Sequence, residues 1–171
     1  MAKYQDLIAA EGSLLAVTGT AWTFGDAITQ AQLLSPQHLG LPVEQLRPFV
    51  LSSIDADFSS HVACGDFLVA GSDFAGDATH PVVASVLNSL GIAAVIARSF
   101  GAFFLRAATR AGLPALSVEE TAAIKTGDRL RVDVEAHIVA NLSSGDRYVI
   151  RNVDDAVLYQ LRRANRSMPR G

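Results

Sequence analysis

Apolar residues recur along this chain with two different spacings. Residues 14–22 are apolar and β-branched, which predicts a strand ending in the turn-like Phe24-Gly25-Asp26. Residues 35–49 carry Pro36, Gly40, Pro42 and Pro48, which punctuate a loop with a short helical piece at 43–47. Residues 67–71 form a short apolar run without polar alternation, the mark of a strand buried on both faces. A small, polar loop follows at 72–80. Pro81 then stands where a helix accepts proline, and Val82, Val83, Val86, Leu87 and Leu90 recur at helical spacing up to Gly91.

The second half continues the alternation. Residues 92–97 predict another buried strand, and Phe100, Phe103, Phe104 and Leu105 open a helix closed by Gly112 and Pro114. Strand, loop, helix, strand, helix is the order of parallel strands joined by crossovers. Ser117 with Glu120 three residues on has the form of a capped helix start. Residues 129–142 alternate in part and predict one half-exposed strand, with a turn at 143–146 and a hairpin partner at 147–151. Residues 154–163 predict a closing helix. The fold class is therefore α/β, a mixed sheet with helices, and one domain over 1–171.

Composition narrows the function. Half of the 171 residues are hydrophobic, 18% are charged and the net charge is −3, so the chain is globular and has no basic footprint for nucleic acid. Arg162, Arg163, Arg166 and Arg170 read as the solvated end of the last helix. Cys64 is the single cysteine, which excludes an internal disulfide and cannot alone hold zinc or an iron–sulfur cluster; such a residue is usually small and buried. Residues 1–11 carry Lys3, Asp6 and Glu11 without a long apolar run, unlike a signal peptide or membrane span, so the expected location is cytoplasmic.

The best place for chemistry is the loop Phe74-Ala75-Gly76-Asp77-Ala78-Thr79-His80, which leaves a buried strand and enters a helix N-terminus. Unpaired N–H groups and the helix dipole suit a carboxylate or phosphate there. Gly76 permits close backbone approach, Thr79 offers a hydroxyl, and His80 a ring that donates, accepts or carries charge. The plain alternative is that Asp77 or Thr79 caps the helix and His80 lies on the surface. A second group is Asp26 with Thr29, Gln30 and Gln32, equally readable as a turn. His38 lies in the proline-rich loop within reach of a ligand. His61 reads as exposed, and His137 as a face residue of the hairpin strand. Phe100, Phe103 and Phe104 read as core.

Phe67-Leu68-Val69-Ala70-Gly71, Phe74, the Gly-containing loop, Gly91-Ile92-Ala93-Ala94-Val95-Ile96-Ala97-Arg98-Ser99-Phe100, Phe103-Phe104 and Gly112-Leu113-Pro114 together resemble the 3-isopropylmalate dehydratase small subunit and the C-terminal swivel domain of aconitases. Trp22-Thr23-Phe24-Gly25-Asp26-Ala27-Ile28 is similar to that family's opening segment. The resemblance runs from Ala21 to about Leu116. It implies a swivelling β/β/α domain with a mixed-sheet or barrel-like core flanked by helices. It implies a hydro-lyase of two parts: a large subunit carrying an iron–sulfur cluster, and this chain closing over a small hydroxy carboxylic acid, with no cofactor or metal of its own. Self-association of the isolated chain is left open.

The resemblance also shows departures. The family loop GCGSSREH matches Ala75-Gly76-Asp77-Ala78-Thr79-His80-Pro81-Val82, so the family's base serine falls on Ala78, its neighbour on Thr79 and its carboxylate-gripping arginine on His80. The Asp-Thr-Asp stretch falls on Thr29-Gln30-Ala31, and the substrate-selecting loop on Gln37-His38-Leu39-Gly40. The resemblance thus implies Thr79, His80 and Asp77 as the altered catalytic set, with Gly76, Ala78, Asp26 and His38 toward the substrate. The alternative is a non-catalytic paralogue that uses the swivel fold as a binding or regulatory module.

Overall fold

The computed structural model describes residues 16–167. Its frame is one seven-stranded sheet in the order β4-β3-β2-β1-β5-β6-β7. Strand β1 (Ala16–Thr23) pairs in parallel with β2 (Phe67–Val69), β2 with β3 (Ala94–Ala97), and β3 with β4 (Ala115–Ser117). On the other side β1 pairs antiparallel with β5 (Arg129–Asp133), which continues as a meander through β6 (Ile138–Asn141) and β7 (Arg147–Val149).

Both faces of β2 and β3 are buried, as their unbroken apolar runs require, whereas β1 alternates and leaves Thr18 exposed. Because side chains alternate along a strand, Leu68 and Val95 enter one core while Phe67, Val69 and Ile96 enter the other. The first core lies under the helices. These are α1 (Gln30–Leu33), α2 (Val43–Leu46), α3 (Phe58–His61), α4 (Val82–Ser89) and α5 (Ala102–Ala111). Leu33, Leu46, Phe58, Val83, Leu87 and Phe104 fill it. The second core joins Val17, Phe67 and Ile96 to Leu130, Val132, Val139 and Tyr148 of the meander, so the sheet curls over itself. Val157 of the last helix, α6 (Asp155–Ser167), packs against the same cluster. This is the mixed, barrel-like sheet flanked by helices that the resemblance implied.

Buried Asp66 ties the sheet's centre together. Its carboxylate accepts hydrogen bonds from Thr20 N (3.1 Å), Trp22 Nε1 (2.9 Å) and Ala63 N (2.8 Å).

Several local expectations change. Ser117 ends β4 and does not cap a helix, because Asn152 claims that backbone: Asn152 Oδ1 accepts from Ser117 N at 2.7 Å, and its Nδ2 donates to Ala115 O at 2.8 Å. A short 3-10 turn, Thr121–Ala123, follows without a side-chain cap. The strand predicted over 129–142 is two strands. His137 takes a left-handed backbone (φ 57°) in the intervening turn, so it is exposed at a turn and not on a strand face. Cys64 is exposed, not buried. The short helices α1 and α3 were not predicted, since four residues carry too little periodicity and neither has the proline immediately before it that marked α2 at Pro42. Helix α5 begins at Ala102 because Phe100 still pairs with Phe74 in a parallel bridge. Leu14, residues 1–11, Arg170 and the side chain of Arg166 lie outside the described residues.

Candidate functional site

The loops leaving the carboxyl ends of β1, β2 and β3 meet at one edge, where open α/β sheets bind ligands. Asp26 follows β1, residues 70–81 follow β2, and Ser99 follows β3. Backbone bonds stitch the first two loops together, Ala27 N to Ser72 O and Ala75 N to Ile28 O, both at 2.8 Å. Asp26 Oδ1 accepts from Ser72 N at 2.7 Å. Phe74 N donates to Ser99 O (3.0 Å), Asp73 N to Ser99 Oγ (2.7 Å), and Gly101 N returns to Phe74 O (2.9 Å).

Close packing fixes the loop further. A Cβ on Gly101 would fall on the carbonyl oxygen of Ala75 and within 2.8 Å of the Cα of Gly76. A Cβ on Gly76 would fall on the carboxylate of Asp73, an exposed side-chain end that can turn aside, so the backbone contact itself demands glycine only at 101. Asp73 and Ala75 themselves take left-handed φ values, 56° and 54°. Non-glycine residues rarely adopt that region, and the surrounding hydrogen bonds hold them there.

The structure brings the two sequence candidates into one cluster. Gln30 N donates to Asp77 Oδ1 at 2.8 Å, while Gln30 Oε1 accepts from Thr79 N (2.8 Å) and His80 N (2.9 Å). Thr29 and Gln32 close a capping box around α1, which holds Gln30 in place. Asp77, Thr79, His80, Gly76 and Asp26 are exposed, whereas Ala78 is buried at 6% exposure. His80 Nδ1 accepts from Val82 N at 3.3 Å. That bond puts the ring's proton on Nε2, which leaves an N–H donor directed away from the helix.

His38 does not join this cluster through any hydrogen bond among the described residues. Its ring stacks flat on Phe49 at 3.9 Å, and its Nδ1 is buried without a hydrogen-bond partner. Asp73 and Ser99 are the residues sequence reasoning missed. The only signal for them was membership of the loop at 72–80 and of the Gly91-to-Phe100 segment.

The edge is acidic. Asp26, Asp73 and Asp77 are all exposed on it, and the chain has no Lys or Arg between Arg47 and Arg98. Arg98 donates to Glu119 at 2.8 Å, and Glu119 also takes Arg151 at 2.9 Å. The Arg98 hydrogen bond, with the charge of Arg151 beside it, holds the Glu119 carboxyl below its usual range.

Among the described residues no cluster of three or more His, Cys, Asp and Glu is arranged to hold a metal ion. No helix among them is long and apolar enough to cross a membrane. A larger open cleft of about 720 Å³ lies at the opposite edge, lined by Cys64, Asn88, Arg110, Tyr159 and Arg163. It contains none of the candidate residues. It also sits at the amino ends of the parallel strands, away from the edge such sheets use for ligands.

Known proteins share both this sequence and this architecture. No protein-family model matches the chain. The 3-isopropylmalate dehydratase small subunit 1 of Archaeoglobus fulgidus is 35% identical over 138 residues, 80% of this chain and 86% of that protein. The methanogen homoaconitase small subunit of Methanothermobacter thermautotrophicus is 28% identical over 83% of each chain. The crystal structure of 3-isopropylmalate dehydratase from Methanocaldococcus jannaschii superposes with a TM-score of 0.78 at 26% identity, covering 81% of this chain and 83% of that one. With the shared curled sheet and the identity spread over four-fifths of its length, the chain belongs to the 3-isopropylmalate dehydratase small-subunit family.

Proposed function

We propose that this chain is the small subunit of an aconitase-type hydro-lyase and works on a small hydroxy di- or tricarboxylic acid held between it and a large subunit. The reaction removes a proton from the carbon next to a carboxylate and hydroxide from the adjacent carbon. It then returns water to the resulting alkene with the hydroxyl on the neighbouring carbon. The observation that carries the proposal is the rigid loop at 72–81, which presents the Thr79 hydroxyl and the His80 Nε2–H at the open carboxyl edge of the sheet.

Each group has a distinct chemical capacity. Thr79 donates or accepts through its hydroxyl. His80 in its capped tautomer gives a hydrogen bond to a ligand oxygen but cannot take a proton at Nε2. The base role then falls to the Asp77 carboxylate beside them. The backbone at Gly76 and Ala78 shapes the floor and Asp26 braces the turn, while His38, stacked on Phe49, has no contact among the described residues that ties it to this edge.

This division of labour requires the partner. One cysteine, on the far edge, does not fit an iron–sulfur cluster, which supports a reading in which the large subunit carries it. Three exposed carboxylates likewise repel a poly-anionic substrate, so its counter-charges come from across the interface.

A specific observation supports a second reading, a non-catalytic binding or regulatory paralogue. The position matching the family's base serine is Ala78, a buried methyl group. Co-purification with an aconitase-type large subunit from the same genome, anaerobic cluster reconstitution and a screen of 2-hydroxy di- and tri-acids separate the two. Turnover that falls at least tenfold in Asp77→Asn or His80→Ala supports catalysis, since acid–base groups ordinarily supply about 10²–10⁴-fold. A stable complex with an intact cluster and no turnover supports the second reading.

A further inference from the structure

We infer that Gln30 determines what the loop can bind, by filling from within the chain the pair of backbone donors that a ligand carboxylate would otherwise occupy. Thr79 N and His80 N converge on one oxygen, Gln30 Oε1, at 2.8 and 2.9 Å. Two N–H groups on one oxygen at the entry to a helix is the arrangement by which backbone captures an anion. Here the oxygen belongs to the protein.

The contact is reciprocal. Gln30 N, one of the amides that α1 leaves without an intrahelical partner, is taken by Asp77 Oδ1 at 2.8 Å. The two segments therefore cap each other across 47 to 50 positions of sequence.

The competition favours Gln30. A ligand carboxylate accepts hydrogen bonds about twice as strongly as a neutral amide oxygen. An acceptor tethered by its own side chain, however, acts at an effective concentration on the order of millimolar or more. Asp77 beside the pair adds repulsion against an incoming anion. The backbone donors are thus closed to substrate. Recognition falls to the Thr79 hydroxyl and the His80 Nε2–H, with the cationic contacts left to the partner. This assignment refines the proposed substrate site and rests on that reading for its biological meaning, while the closure itself is a property of the isolated chain.

The test uses the full-length, nitrogen-labelled chain and malonate as the probe, with Gln30→Ala and Gln30→Glu. In the unsubstituted chain and in Gln30→Glu, which keeps an acceptor oxygen, the Thr79 and His80 amides exchange slowly and do not respond saturably to malonate. In Gln30→Ala both amides exchange about tenfold faster, as loss of hydrogen bonds worth about 1.4 kcal/mol requires, and shift saturably with malonate. A saturable shift in the unsubstituted chain overturns the inference. So do unchanged exchange in Gln30→Ala, absence of any malonate response in that variant, or equal loss of protection in Gln30→Glu. None of these readouts involves turnover or the large subunit, so failure of the hydro-lyase reading would leave them as they are.

Discussion

Replacing Asp66 offers a quantitative check on how the sheet is held. The carboxylate is buried at 6% exposure and receives three N–H donors, two from β1 and one from Ala63. Asp66→Ala leaves all three without their acceptor. A buried donor stripped of its partner costs about 1–3 kcal/mol. Ala63 sits at an exposed position where water can replace the lost bond, so two donors dominate and the expected loss is about 3 kcal/mol. Asp66→Asn retains one oxygen. Placed at the Oδ2 position it still serves Trp22 Nε1 and Ala63 N, and turns its NH2 toward Thr20 N, so the cost falls to about 1–2 kcal/mol. Urea unfolding followed by fluorescence measures both, because Trp22 is the chain's only tryptophan and is itself one of the donors. A loss below 1 kcal/mol in Asp66→Ala, or equal losses in the two variants, would refute the reasoning.

Two further outcomes are expected. Gly101→Val drives a side chain into the backbone of Ala75 and Gly76, a collision relieved only by moving the loop; it costs about 1–3 kcal/mol in urea unfolding and shifts the amide resonances of residues 75–80, and unchanged resonances would contradict the packing described. Acid weakens the fold through Glu119 and Asp128. Glu119 is lowered by its hydrogen bond to Arg98 and the charges of Arg151 and Arg98, and Asp128 by the N–H of Lys125 and the amide of Asn141. Because both folded-state values are depressed, their contribution is full above the ordinary values of 4.5 and 3.8 and is lost as pH falls through the lowered ones. Urea midpoints measured across that window should fall less steeply in Glu119→Gln, and added salt should shrink the difference because the triad is exposed.

Periodicity along the chain was enough to locate the buried strands, the two long helices of the parallel half and the loop at 72–80. Each depends on neighbours within a few residues. Apolar runs at 67–71 and 92–97 have one physical solution in a chain of this composition, which is burial on both faces. The same local logic failed wherever a distant group made the better offer to the backbone. Ser117 has the pattern of a helix cap, yet it ends a strand whose free edge is taken by the side-chain amide of Asn152, 35 residues on. Residues 129–142 alternate well enough for one strand, but closing the curled sheet requires a reversal at His137. The resemblance named the loop residues. It could not say that Gln30 would occupy their backbone donors, because that contact spans 49 positions and nothing in either segment announces the other. Sequence therefore determined the longer elements of the parallel half, the family and the candidate loop. Tertiary structure alone decided which hydrogen-bonding groups of that loop are already satisfied and which remain open, since satisfaction depends on partners that only folding brings within 3 Å.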